Sequence, residues 1–413
     1  MRPFIFSKKQ RQVLTWWRPS SPYREHQAII CDGAVRSGKT LCTGLSFFCW
    51  AMSCFQGKTF ALCGKSVPSV RRNLLSELLP LLRQLGFVCR ERTSRNQLTV
   101  SLGRRSNTFY LFGGLDERSA ALVQGITLAG ALLDEVALMP RSFVEQALAR
   151  CSVSGARLWF NCNPEGPGHW FRQEWILKAR EHKALHLHFT MDDNPALDAQ
   201  TRARYESMFS GVFYRRYVLG EWVMSEGVIY DMFSQTENVY RDDQRPPSLY
   251  FSGVRTVACD YGTVNPTVFL DIYDYDGRNY IDREYRWDSR KEGRQKTDEE
   301  YADDMVTFLD GRSATIIVDP SAASFIAALR RRGLYVISAD NEVLAGIRRT
   351  ATLIKRRELL VHDSCEGLLD ELGTYCWDTK AGPAGEDRVI KDHDHGPDAV
   401  RYYVNSMPDW RFR

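Results

Sequence analysis

Short apolar runs recur along residues 25–190, each separated from the next by a polar, helix-like stretch. They read QAIICDGAV, KTFALCGK, NTFYLFGG, ITLAGALLDE and RLWFNCNP. A brief, unbroken apolar run bounded by turn residues predicts a strand buried on both faces. Strands alternating with helical segments predict an α/β domain on a mostly parallel sheet. Residues 197–223 read as helical and basic, as in RARYESMFSGVFYRRYVLGEW. From residue 224 the periodicity is lost, and DDQRPPS marks a linker over 224–250.

A different pattern starts at Val254. TVACDYG and TVFLDIYDYDG predict two antiparallel strands and NYIDREYRW a third, with DYDG as the hairpin turn. A helix (DEEYADDMVTFLDG), a strand (ATIIVDP), a helix (SFIAALRRRG) and a strand (YVISA) follow. HGPDAVRYYVNSM predicts a last helix. Three adjacent strands before alternating helices and strands make a mixed sheet. Two α/β domains are therefore expected, over 1–223 and 251–413. The most apolar stretch, Thr43–Phe55, is too short to span a bilayer and reads as a buried helix.

Composition narrows this picture only a little. At 413 residues the chain exceeds the roughly 250–300 that one core can serve. Hydrophobic content of 44% and charged content of 26% exclude a disordered or fibrous bulk. Lys+Arg 55 against Asp+Glu 51 leaves only +4, so any basic surface must be local. The 11 cysteines are scattered, with no CxxC pair. They predict buried thiols in a reducing compartment rather than disulfides. MRPFIFSKKQRQVL lacks the apolar core of a secretory signal.

The candidate chemistry falls in two places. Residues 33–40, GAVRSGKT, match G-x-x-x-x-G-K-[ST] between an apolar strand and an apolar helical run. Gly33 and Gly38 permit a loop whose N–H groups converge on phosphate, with Arg36 and Ser37 between them. Lys39 is placed to bridge the β- and γ-phosphates and Thr40 to ligate Mg²⁺. The strand ITLAGALLDE ends in Asp134, suited to the magnesium shell, and Glu135, suited to orient or deprotonate water. Asn161 and Asn163 close the next strand and could sense the γ-phosphate.

In the second half Asp260 and Asp319 end strands and Asp398 lies in the last helix. Two carboxylates about 4 Å apart repel by roughly 4 kcal/mol at an effective dielectric near 20. A cluster of three is expected to bind cations or share protons, and two divalent ions could activate water against a phosphodiester. His393 and His395 flank Asp394 and could ligate a metal or carry a proton; they equally suit a solvated tail. His186 and His188 share one face of a short strand and read as structural.

Together these motifs resemble the large terminase subunit of tailed bacteriophages, the motor that packages viral DNA. GAVRSGKT is similar to its Walker A, ALLDEVALMP to its Walker B and FNCNPEGPGHW to its coupling motif. FTMDDNPALD and FYRRYVLGEWVMSEGVIYDMF resemble its boundary between ATPase and nuclease. VACDYG, IIVDPSAAS and DHGPDAVRYYV resemble its nuclease motifs, and SKKQRQVL its glutamine motif. The resemblance implies an ASCE/RecA-like P-loop NTPase domain followed by an RNase H-like nuclease domain. It implies ATP with Mg²⁺ in the first, and Mg²⁺ or Mn²⁺, as two ions, in the second. It makes Asp260, Asp319 and Asp398 the nuclease ligands, with His395 nearby, and sets Gln10 against adenine. No motif fixes the arginine that the family supplies from a neighbouring subunit; Arg118 is the first candidate and Arg157 the alternative.

Implied partners are double-stranded DNA, the portal of a procapsid and a small terminase subunit. A homo-oligomeric, pentameric ring on the portal is implied, with a monomer in solution and action in the host cytoplasm away from membranes. RRNLLSELL, RRYVLG and IKRRELL are candidate DNA-backbone contacts or solvated helix faces. A repair helicase-nuclease and a non-catalytic nucleotide switch are the alternative readings.

Overall fold

The computed structural model describes residues 5–262, 265–379, 381, 387–408 and 412. The chain divides into two compact units. The first takes residues up to 203 and 214–224; the second takes 204–213 and nearly everything after 224.

The first unit is built on eight strands: β1 Ala28–Gly33, β2 Thr59–Gly64, β3 Val88–Arg92, β4 Gln97–Leu102, β5 Arg105–Gly113, β6 Gly130–Asp134, β7 Arg157–Cys162 and β8 Ala184–Phe189. Their order is β3-β4-β5-β2-β6-β7-β1-β8. The six strands from β5 to β8 pair in parallel. β7 lies between β1 and β6, as in P-loop folds with an added central strand. β3 and β4 join antiparallel at the edge and make the sheet mixed. The apolar-run pattern missed this hairpin because CRERTSRNQLTVSLG buries only one face.

The run Thr43–Phe55 lies in the helix Lys39–Cys54, as its short length predicts. Phe47 and Trp50 of that helix pack against Phe60 and Trp159 of the sheet. Phe47 is fully buried, so truncating it to alanine would cost about 3–5 kcal/mol. A second cluster includes Phe143, Val144 and Ala147 of the helix Arg141–Ala149 and Phe160 of β7.

The second unit holds β9 Val239–Tyr240, β10 Val254–Asp260, β11 Thr267–Tyr275, β12 Arg278–Trp287, β13 Thr315–Val318, β14 Val336–Ser338 and β15 Leu359–His362. Their order is β14-β13-β10-β11-β12-β15-β9. β10, β11 and β12 pair antiparallel and the other pairs are parallel, so the mixed sheet is as expected. The helices Asp298–Leu309 and Ala323–Arg331 share one core cluster with β10 and β13. The helix His395–Ser406 packs on β10, β11 and β13.

The segment 224–250 differs from the expected linker. Residues 225–250 belong to the second unit, and Val239 pairs with Val361 at the sheet edge. The buried Asn238 amide donates to the carbonyls of Ile354 (2.9 Å) and Leu359 (3.3 Å). Pro246-Pro247 ends regular structure without ending packing. Residues 204–213 also cross the expected boundary, because the Thr352 hydroxyl donates to Met208 O at 2.9 Å. All 11 cysteines are free. Among the described residues no helix is long and apolar enough to cross a membrane.

Candidate nucleotide and carboxylate sites

β1 runs into the phosphate-binding loop and the helix Lys39–Cys54 starts beyond it. Gly38 caps that helix with φ 81°, in the left-handed region. Gly33 has φ 125°, and a Cβ there would lie 2.0 Å from the Phe189 carbonyl oxygen, so no side chain fits. Ala34 N donates to Phe189 O and Val35 N to Tyr217 O, both at 2.8 Å. Arg36 sits at φ 57°, and Asn194 Nδ2 donates to its carbonyl at 2.7 Å.

A cavity of about 1000 Å³ opens over the loop, lined by Gln10, Arg36, Ser37, Gly38, Lys39 and Thr40 together with Glu135, Asn161 and Asn163. Lys39 is buried, and Nζ donates to Gly33 O (3.0 Å), Ala34 O (2.6 Å), Ser37 Oγ (3.2 Å) and Asn163 Oδ1 (3.3 Å). Burial lowers its pKa to about 8. Asp134 is pushed up to about 7 by burial first and the charge of Glu135 second. Thr40 Oγ1 lies 3.4 Å from Asp134 Oδ1, and Asn161 Nδ2 donates to Thr40 Oγ1 (2.8 Å) and Asp134 Oδ1 (2.5 Å). Among the described residues Asn161 Oδ1, which is buried, has no hydrogen-bond partner. Hydroxyl, carboxylate and an orphaned amide oxygen at one point are the hard oxygen donors that magnesium takes, so the residues fit that ion. Glu135 follows at φ 60°, a left-handed position that costs a non-glycine residue of order 1–3 kcal/mol.

Gln10 lines the cavity, but its amide is used by its own chain. Oε1 accepts from Ser7 N (3.1 Å) and Nε2 donates to Ser37 O (3.2 Å). Of the two arginine candidates, Arg118 is exposed on the turn Glu117–Val123. Arg157 donates to Arg24 O at 2.7 Å and lies over the Trp16 ring, which ties it to its own unit.

In the second unit β10 and β13 are parallel neighbours, with Cys259 beside Val318, so Asp260 and Asp319 leave the same sheet end together. The Tyr402 hydroxyl lies 3.3 Å from Asp260 Oδ1 and 3.0 Å from Asp319 Oδ2. His395 Nδ1 lies 2.8 Å from Asp260 Oδ2. Burial raises Asp260, opposed by the His395 hydrogen bond. Burial also pushes Asp319 up, but hydrogen bonds from Ser321, Tyr402 and Asn341 outweigh it and hold it low.

Asp398 is near enough for its charge to push Asp260 up, but its own oxygens are held by cations. Its Oδ1 accepts from Arg401 Nε (3.1 Å) and its Oδ2 from Lys391 Nζ (2.9 Å). Lys391 also holds Asp394 Oδ2 at 3.0 Å. The expected mutual repulsion is thus relieved by protein cations, a phenol and an imidazole. Among the described residues no three acid, histidine or cysteine side chains are grouped to hold an ion. Asp260 and Asp319 fit as a carboxylate pair for a cation; Asp398, as placed, does not complete a cage. The two histidines of the HxH pair part company: His395 turns inward to Asp260, while His393 is exposed.

Residues 30–236 match the family model described as terminase large subunit, T4likevirus-type, N-terminal. A large terminase from a thermophilic bacteriophage is 49% identical over 98% of this chain and 99% of its own, with TM-score 0.93. The chain belongs to the large terminase family. The same phage's large terminase in complex with ADP is 49% identical over 97% of this chain and 99% of its own (TM-score 0.90). In complex with ATP-gamma-S it is 48% identical over 98% and 99% (TM-score 0.88). No curated protein matches.

Five residues of this terminase escaped sequence reasoning. Asp32, one place before Gly33, is buried with His186 Nε2 at 2.7 Å from Oδ1 and His188 Nδ1 at 3.2 Å from Oδ2. Trp222 Nε1 donates to Oδ2 at 2.7 Å. The paired histidines are structural, as their strand face predicts, but their buried partner carries no motif. The alternation in ALHLHF, with polar residues facing a strand that ends in Asp-Gly, is the signal that could have found it. Tyr402 and Lys391 lie one helical turn and seven residues from Asp398, spacings that become contacts only once the helix is placed. Asn194 sits in the quoted FTMDDNPALD segment, where Asn-Pro after a strand marks a turn.

Proposed function

We propose that this terminase is an ATP-driven DNA-packaging motor with a second, nucleolytic activity. The observation that carries the reading is one chain holding two separate sets of groups. Lys39, Thr40, Glu135 and Asn161 line one cavity, with Asp134 bound behind them to Thr40 and Asn161; Asp260, Asp319 and His395 meet at the end of the other sheet. ATP is the substrate of the first set. Lys39 would leave its loop carbonyls for the phosphates, and Glu135 would orient the attacking water. Thr40 and Asp134 would hold Mg²⁺, which neutralises phosphate charge when bound. Asn163 would follow the γ-phosphate through the hydrogen bond that it now makes to Lys39.

The second set would cut double-stranded concatemers. Asp260 and Asp319 would hold Mg²⁺ or Mn²⁺, and Asp398 would join them after release from Lys391. The portal, a small terminase subunit and a homo-oligomeric ring in the host cytoplasm complete the reading, with Arg118 as the residue that reaches a neighbour.

Reciprocal variants test it. Lys39→Ala should abolish ATP hydrolysis and leave Mn²⁺-dependent nicking measurable. Asp260→Ala should do the reverse. Loss of both activities in either folded variant overturns the two-site reading.

A further inference from the structure

The edge of the first sheet carries a surface that the nucleotide site does not use. β3, β4 and β5 form an antiparallel ladder whose register sets Arg90 beside Thr99 and Thr99 beside Thr108. Arg92 lies beside Gln97, and Val88 beside Ser101. Directly paired residues share a face, so this side of the ladder presents guanidinium, hydroxyl and amide groups together with Val88 and Tyr110, and no acid. The opposite side is apolar on β4 and β5: Leu98, Val100 and Phe109 are fully buried. A one-residue slip would bury the arginines, which fixes the register and therefore the charge pattern.

Residues 83–105 contain six arginines and one acid, Glu91. Their net charge of +5 exceeds the +4 of the whole chain. Glu91 faces the other side and is bound by Arg71 Nε at 2.7 Å. Arg90, Arg92, Arg95 and Arg104 are all exposed, and among the described residues none has an acidic partner.

We propose that this face grips the phosphate backbone of double-stranded DNA without reading sequence. The proposal rests on the packaging reading and locates one place where the motor holds its substrate. Arginine, serine, threonine and glutamine are the side chains that contact phosphates, and such contacts carry no base information. Arg90 and Arg92 stand about 6.8 Å apart along the strand, close to two axial phosphate steps of about 3.4 Å. Among the described residues Tyr110 is the aromatic ring that the register sets on this face, beside Gln97, and it is partly buried against the second core cluster, so the face offers single strands no open stacking platform.

The test is fluorescence anisotropy of a labelled duplex of arbitrary sequence with the full chain, in EDTA to prevent cutting, at 50–200 mM salt. Arg90→Ser/Arg92→Ser is compared with Arg18→Ser/Arg180→Ser, which removes the same charge elsewhere on the first unit; thermal melts check that both fold. Losing two phosphate contacts should lower the log–log salt slope by about 1.8 and weaken binding about 60-fold at 0.1 M salt. Slope and affinity equal to the control variant overturn the proposal. So does unchanged duplex binding with altered self-association in ultracentrifugation, which makes the face a contact between copies. If the wild-type chain binds no duplex at all, the packaging reading itself fails, a distinct result. A single-stranded oligonucleotide that competes better than duplex assigns the face to another substrate and also overturns the proposal.

Discussion

Asp32→Asn is the most informative single change in the first unit. The carboxylate is 1% exposed and accepts three hydrogen bonds, from His186, His188 and Trp222. Burial pushes its pKa up, but the two histidines outweigh burial and hold it well below the usual carboxylate range. Hydrogen bonds to a charged acceptor contribute about 1.5–3 kcal/mol each, against about 0.5–1.5 for neutral ones. Asparagine keeps one acceptor, and the histidine side chains, at 31% and 43% exposure, recover water. The net loss is therefore placed at about 2–4 kcal/mol, below the sum of three charged bonds. For a unit of this size that lowers the melting temperature by about 5–15 °C.

The assay is thermal melting with and without a non-hydrolysable ATP analogue, since the transition that nucleotide shifts belongs to the first unit. The sign of the acid effect follows from the lowered pKa. The unfolded value is about 3.9, so the contribution is complete above about pH 5 and is lost as pH falls below it. Asp32→Asn should remove that part of the acid sensitivity. A variant melting within about 2 °C of wild type, or one with unchanged acid sensitivity, refutes the reasoning.

Two further outcomes follow from the sites. Lys39 titrates near 8 because it is buried, so its charge is lost as pH rises through that value. Affinity for a fluorescent ATP analogue should fall from pH 7 to pH 9, and a flat profile contradicts the assignment of Lys39 to phosphate. Lys391→Ala frees Asp398 Oδ2, so calorimetry should show several-fold tighter Mn²⁺ binding by the full chain; equal or weaker binding removes Lys391 from the control of that site.

The first-unit strands that carry the phosphate-loop chemistry were legible because they are buried on both faces and written as unbroken apolar runs. The loop was legible because phosphate binding needs glycines, lysine and threonine at fixed spacing. The β3–β4 hairpin was not, since half of its residues face water and it passed as one of the polar, helix-like stretches between apolar runs. β9 and the segment 225–250 were hidden because two residues of edge pairing leave no periodic pattern. At the sites, Asp260 and Asp319 could be named from strand ends alone. The diversion of Asp398 to Lys391 and Arg401 could not, because it depends on side chains brought together by the last helix. Asp32 was invisible for a related reason: a lone acid in an apolar strand declares itself only when its histidine partners are placed beside it.

On the proposed function, nucleotide hydrolysis at Lys39 would move DNA while the Asp260–Asp319 pair would serve a separate reaction. Packaging of linear duplex into procapsids, read as nuclease-protected DNA, tests it most directly. Asp260→Ala should package in the presence of ATP, because linear DNA needs no cut to enter. Lys39→Ala should protect none. Packaging that survives in Lys39→Ala, or that fails in wild type with ATP and procapsids present, would contradict the account.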